Sequence, residues 1–205
     1  MLAKALLIHL DAKPGVEATV EELLLGSLPA ARAETWTRAW SFLRFGRGEY
    51  AVFAAFADEQ ARQAHLQGPV ALTLTARAGE LLMKEPRFER IDILACKVPV
   101  VIPRRDDSKG LLLSFKARAG HESDVEQFLR GARLYVVEET GTTAWFAVRF
   151  EDGDYGIIDT FPDNGARFAH LTGHVPRELA KHALSLLGSM PDIHMLNVLA
   201  ESFQT

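Results

Sequence analysis

The chain is short of cysteine, of long apolar runs and of net charge, and each shortage excludes a class of protein. Cys96 is the single cysteine among 205 residues, so no intrachain disulfide framework can form, and a reducing compartment is expected. No metal-ligand spacing involves Cys96, no GxGxxG follows a strand and no HExxH occurs, so neither a metal nor a flavin or nicotinamide cofactor is expected. The apolar stretch from Ala5 to Leu10 is interrupted by His9 and closed by Asp11 and Lys13-Pro14-Gly15. That is too short for a signal-peptide core, and nothing approaches the roughly 18 apolar residues of a membrane span. A cytoplasmic protein with no membrane partner is the expectation. A formal net charge of -4 and a pI near 6.0 give no electrostatic footprint for nucleic acid. With 48% hydrophobic and 24% charged residues, the composition is that of a folded globular chain.

The chain does contain a repeat. Trp40-Ser-Phe-Leu-Arg-Phe45 is echoed by Trp145-Phe-Ala-Val-Arg-Phe150, an offset of 145 − 40 = 105 residues. The same offset, without a gap, pairs Gly15 with Gly120, Leu24 with Leu129, Tyr50 with Tyr155 and Phe56 with Phe161. It also pairs Asp58 with Asp163, His65 with His170, Gly68 with Gly173 and Pro86 with Pro191. Two copies of one unit are therefore expected, spanning 1–98 and 111–205. Pro99, Pro103 and the charged run Arg104–Lys109 read as a solvated linker over 99–110.

Within a copy, Ala5–Ala12 and Leu111–Ala119 read as strands ended by glycine turns. Val16, Val20, Leu23 and Leu24 share one face at helical spacing, as do Val125, Phe128, Leu129 and Ala132. Thr37–Phe45 with Tyr50–Phe56, and Thr142–Phe150 with Tyr155–Phe161, read as hairpins across glycine turns. Asp58 and Asp163 are placed to cap a short helix. Gly68-Pro69, and Gly173 through Pro176, break it before a longer helix. Pro86 and Pro191 end that helix, and Phe88–Val98 and Ile193–Phe203 supply the last strand. The order β-α-β-β-α-β is the ferredoxin-like arrangement, so the fold class is α+β. These strands are apolar on both faces. Helices cover one; the simplest cover for the other is the sister sheet, giving an intramolecular dimeric α/β barrel.

The segment Phe161-Pro-Asp-Asn-Gly-Ala-Arg-Phe-Ala-His-Leu-Thr-Gly173, following Thr143-Ala-Trp-Phe146, resembles the antibiotic biosynthesis monooxygenase family. A weaker version runs from Phe56-Ala-Asp58 to His65-Leu-Gln-Gly68. The resemblance implies cofactor-free oxygenation of a phenol or quinol, with an aromatic small molecule and dioxygen as partners. Two alternatives accompany it. One is a non-catalytic ligand-binding or stress-related barrel. The other is a haem-binding relative, although the first strands carry no asparagine and the strand-end positions are Phe56 and Phe161. Internal pairing would satisfy a monomer, but exposed edge strands would permit a further homodimer.

Asp159 is the sharpest single signal. It lies in the apolar strand Tyr155–Phe161, on the face of Tyr155, Ile157 and Phe161, where a carboxylate is costly unless paired or protonated. Its counterpart is Ala54, so the fold does not require it; pairing with Arg149 or Arg167 is the alternative to a catalytic role. His170 and His65 share the inward helix face and read as a proton acceptor, or as core histidines bonded to a backbone carbonyl. Trp40 and Trp145, with Tyr50 and Tyr155, read as an aromatic substrate wall or as core. Arg44 and Arg149 read as oxyanion donors or as surface ion pairs. The expected site therefore lies in the second copy. Asp159, His170 and Tyr155 are its catalytic candidates, and Trp145, Arg149 and Phe161, with His65 and Trp40 of the first copy, are its substrate-binding candidates.

Overall fold

The computed structural model describes residues 1–99 and 107–204. The expected charged linker falls largely outside the described residues. Its last two residues, Lys109 and Gly110, belong instead to the first strand of the second copy.

The first copy runs β1 (Lys4–Asp11), α1 (Glu17–Gly26), α2 (Leu28–Ala33), β2 (Thr37–Gly46), β3 (Glu49–Phe56), α3 (Glu59–Leu66), α4 (Pro69–Leu81) and β4 (Arg87–Lys97). The second runs β5 (Lys109–Phe115), α5 (Glu122–Val136), β6 (Ala144–Phe150), β7 (Tyr155–Phe161), α6 (Asn164–Leu171), α7 (His174–Leu186) and β8 (Asp192–Phe203). Expectation and structure differ at two places. The strand expected to reach Ala119 ends at Phe115, and Ala117 contributes only an isolated bridge to Leu187. The first helix of copy one is split, because Pro29 sits inside the first turn of α2 and can donate no hydrogen bond back into α1. Leu134 occupies the matching position 105 residues on, and α5 runs through it unbroken.

Turn chemistry fixes both hairpins. Gly48 and Gly153 have φ of 77° and 92°, a region glycine enters without steric cost. Asp58 and Asp163 each accept a hydrogen bond from the backbone N–H three residues on, Ala61 and Ala166, at 2.9 Å. Replacing either cap with alanine should cost about 1 kcal/mol of stability, measured by urea unfolding.

The hydrogen-bonded strand order is β1-β3-β2-β8-β5-β7-β6-β4, closed into a barrel. Each copy contributes its four strands in ferredoxin-like order, and the fold is a tandem ferredoxin-like α/β barrel. The chain forms two compact units. Unit 1 is Met1–Ile91 with Asn197–Thr205, and unit 2 is Asp92–Leu196. The second half of β4 thus belongs to unit 2 and the second half of β8 to unit 1, where it pairs with β2 from Ala39↔Phe203 to Arg44↔Asn197.

In unit 1, Leu6, Ile8, Trp40, Phe42, Val52 and Phe56 form a core with Val20 and Leu24 of α1 and Leu74 and Ala78 of α4. Phe115, Trp145, Ala147, Tyr155 and Ile157 do the same in unit 2 with Val125, Leu129, Ala132 and Val175. The alternate strand positions Leu7, Leu43, Phe53 and Ile158 are buried as well, as the two-faced apolar pattern requires. Each such side chain contributes about 1.5–3 kcal/mol of transfer free energy. Among the described residues, no helix is long and apolar enough to cross a membrane.

Candidate functional site

In unit 2, three elements bring a histidine between two carboxylates. Helix α6 carries His170 as its penultimate residue, facing β7. The histidine Nδ1 lies 2.6 Å from Glu139 Oε2, and its Nε2 lies 3.3 Å from Asp159 Oδ2. The second contact is an ion-pair approach without hydrogen-bond alignment, because neither Asp159 oxygen has an aligned donor. Thr142 Oγ1 donates to the same Glu139 oxygen at 2.7 Å. Phe161 covers the imidazole, with ring centroids 5.3 Å apart. Trp145 stands directly across from Asp159 in the β6–β7 register. Lys97 fixes the loop, its Nζ donating to the carbonyls of Val136 at 3.1 Å and Glu139 at 2.5 Å. It thereby also satisfies the end of α5, where unpaired carbonyls attract a cation.

Unit 1 repeats the threonine, glutamate, histidine and phenylalanine, but neither the lysine nor the aspartate. His65 Nδ1 lies 2.6 Å from Glu34 Oε2, and Thr37 Oγ1 donates to that oxygen at 2.7 Å. Gln204 stands in for the lysine, donating to the carbonyls of Arg32 and Glu34. Phe56 covers the ring at 5.2 Å. In place of the aspartate stands Ala54, opposite Trp40, and His65 Nε2 is buried without a partner. The threonine–glutamate–histidine cluster is thus a property of the fold; the aspartate is an addition to the second copy.

Electrostatics follow from the geometry. Burial alone would push the His170 pKa down, but the two carboxylates outweigh it and raise it to about 10. Burial raises Asp159, and His170 only partly offsets that. Burial pushes Glu139 up as well, yet the bonds from His170 and Thr142 more than compensate and hold it low. At neutral pH the cluster therefore contains an imidazolium and a Glu139 carboxylate, with Asp159 the group most eager for a proton. The folded state binds the His170 proton more tightly than the unfolded chain, whose histidine titrates near 6.5. That stabilisation is complete below about pH 6.5 and is lost as pH rises through about 10. Between pH 7 and 10, urea unfolding should show wild-type protein losing on the order of 1 kcal/mol more than Asp159→Ala, in which one of the two carboxylates is gone.

A pocket of about 530 Å³ opens onto this cluster, walled by Tyr135, Glu139, Thr142, Ala169, His170 and His174. Asp159 does not line it and sits behind His170, almost wholly buried.

The structure thus brings together Asp159, His170, Trp145 and Phe161, and separates the other candidates from them. Tyr155 faces the same helices, but four residues from Asp159 along β7, about 13 Å at strand rise. Arg149 is no oxyanion donor to the pocket; its guanidinium projects to the surface and bonds Glu126 and Asp92, each at 3.1 Å. Arg44 likewise bonds Glu21 at 3.2 Å. The arginine partners considered for Asp159 are both engaged elsewhere. Arg149 is on the surface, and Arg167 donates to the carbonyls of Gly110 and Leu196. The histidines bond carboxylates rather than backbone carbonyls. Trp40 and Trp145 are fully buried in their cores, each with an unpartnered indole N–H. Glu139 and Thr142 were not evident as site residues. The signal for them was the offset of 105, which pairs Glu34 with Glu139 and Thr37 with Thr142.

No protein-family model matches the chain, and no curated protein does. Solved structures do. A protein from Lactobacillus acidophilus whose name proposes a monooxygenase superposes with a TM-score of 0.86 at 11% identity, over 100% of this chain and 97% of its own. An uncharacterised ferredoxin-fold protein from Listeria monocytogenes, described as related to antibiotic biosynthesis monooxygenases, superposes at 0.53 with 12% identity, over 95% of both chains. The chain shares the ferredoxin-like barrel fold of these structures. A protein of unknown function from Nitrosomonas europaea is 46% identical over 49% of this chain and 98% of its own, with a TM-score of 0.48.

Proposed function

We propose that this barrel is a cofactor-independent monooxygenase acting on a phenolic or quinol-type aromatic, with its site in unit 2. The observation that carries the reading is the position of His170 between Glu139 at the pocket and Asp159 behind it. Oxygenation without a cofactor requires the substrate to become an electron-rich anion, so the protein has to remove a phenolic proton and keep it. In the proposed relay, the hydroxyl proton passes from the pocket to the Glu139–His170 Nδ1 side while the Nε2 proton moves to Asp159. Burial favours the neutral form of Asp159, which makes it the terminal proton sink. His170, left neutral with its Nδ1–H, and the protonated Glu139 then steady the phenolate by hydrogen bonding. The phenolate then gives electrons to dioxygen. A C–O bond forms at a ring carbon bearing hydrogen, and the hydroperoxide loses water to leave a quinone. Phenol and O₂ become quinone and H₂O, with all electrons supplied by the substrate.

Purified protein with chelator present should consume one O₂ per quinone formed from at least one member of a panel of naphthols and hydroquinones. Binding of such ligands without any oxygen uptake would leave a ligand-binding barrel instead. Haem ligation is disfavoured by the same geometry, because both ring nitrogens of His170 are already directed at carboxylates.

A further inference from the structure

At the His170 cluster, copy two carries two charged groups that copy one lacks. Asp159 stands behind the histidine, where copy one has Ala54. Lys97 braces the Glu139 loop with an ammonium, where Gln204 braces the Glu34 loop with a neutral amide. The offset of 105 pairs Lys97 with Ser202, so the repeated fold does not itself require a cation there. One added carboxylate is thus accompanied by one added ammonium. Lys97 is half-buried, and burial pulls its ammonium below the usual lysine range, opposed by Glu139 and Glu138. The effect is mutual. Burial raises the Glu139 carboxylate, and the Lys97 charge joins the His170 and Thr142 bonds in holding it low. The described residues lining the pocket include Glu138 and Glu139 but no lysine or arginine. A permanent positive charge for an anion in that pocket therefore has to come from behind its wall.

We propose that Lys97 is a positioning residue of the relay. Its ammonium is set behind Glu139 to keep that carboxylate ready for the phenolic proton and to balance the anion that results. The inference rests on the relay reading above and deepens it. Before transfer, Glu139 and Asp159 are the anions and His170 and Lys97 the cations. Afterwards both carboxyls hold a proton and His170 is neutral. The phenolate is then the anion and Lys97 the cation, so no net charge builds up in the cluster. The other titratable groups facing Glu139 are His170 of α6, with Asp159 behind it, and Glu138 on the same loop. Tyr135 of α5 and His174 of α7 share the pocket wall. Of the two cations in the cluster, His170 gives up its charge in the relay and Lys97 keeps it.

Urea unfolding of a double-mutant cycle at pH 7 separates this role from mere bracing of the loop. Lys97 bonds the backbone carbonyl of Glu139, which Glu139→Gln leaves in place while removing the charge. Lys97→Met should lower the unfolding midpoint by about 0.3 M more in the wild-type background than in Glu139→Gln, a coupling typical within one charged network. Should Lys97→Met not fold, Lys97→Gln, which follows the Gln204 pattern, takes its place in the cycle. Carbon-13 NMR of the side-chain carboxyls should show Glu139 titrating at higher pH in Lys97→Met than in wild type. In Lys97→Arg it should stay close to the wild-type position. Oxygen uptake should fall about two- to tenfold in Lys97→Met, the worth of one partly screened charge. Lys97→Arg should recover most of that loss. Equal midpoint losses in the two backgrounds, or a Glu139 titration that ignores Lys97→Met, overturn the inference. Uptake undiminished in Lys97→Met overturns it too, and leaves the relay standing. If the wild-type protein takes up no oxygen, the relay reading falls and the place of Lys97 in it falls as well, even where the coupling is found.

Discussion

His170→Ala should destabilise the protein by about 3 kcal/mol or more, whereas Asp159→Ala should change stability by less than about 1 kcal/mol. Removing one partner from a buried charged cluster leaves the others uncompensated, at a typical cost of about 3–5 kcal/mol. Asp159 can escape by taking up a proton, which places the His170 variant near the lower end; the Glu139 carboxylate then keeps the Thr142 hydrogen bond and the nearby Lys97 charge. Asp159→Ala reproduces what unit 1 already contains, Ala54 beside a histidine held by glutamate and threonine. It also relieves the burial of a carboxylate that has no aligned donor. Urea unfolding of the two variants at pH 7 gives the comparison. Equal losses would make Asp159 part of the architecture.

The second large effect is on turnover. Asp159→Ala and Asp159→Asn should each slow oxygen uptake by about 10²- to 10⁴-fold, the range for losing a positioned acid–base group. Asparagine keeps the shape and the neutrality of a protonated aspartate but cannot take the proton. Its equivalence to alanine would therefore identify the role as proton acceptance. An active Asp159→Asn would reduce the residue to a spacer for His170.

Much of the architecture could be read directly. The constant offset gave two copies. Strands apolar on alternate and intervening positions alike, such as Phe53 beside Val52, matched a closed strand order. Proline marked where α1 and α2 part, although only comparison with Leu134 shows why α5 does not. The site was legible where it broke a local rule. Asp159 stood out as a lone carboxylate in Tyr155–Phe161, and period-two counting put it on the correct face. Glu139 did not stand out, because an acid beside Glu138 and Thr140 in a connection is what a solvated loop contains; its burial arises only when α6 folds over it. Period-two counting assigns a face without a distance, so it grouped Tyr155 with Asp159 although strand rise separates them. Arg149 has the helix-facing parity of Trp145 and Ala147, yet it lies at the strand end where that face opens to solvent and to Glu126.

The proposed chemistry depends on His170 being held as an imidazolium by two carboxylates. Nitrogen-15 NMR of the histidine side chains, with the His170 signal assigned by its loss in His170→Gln, reads this directly. Both ring nitrogens of His170 should remain protonated at pH 8 and lose a proton only near pH 10. A ring that is already neutral at pH 8 and titrates near 6.5 like a free imidazole would contradict the account.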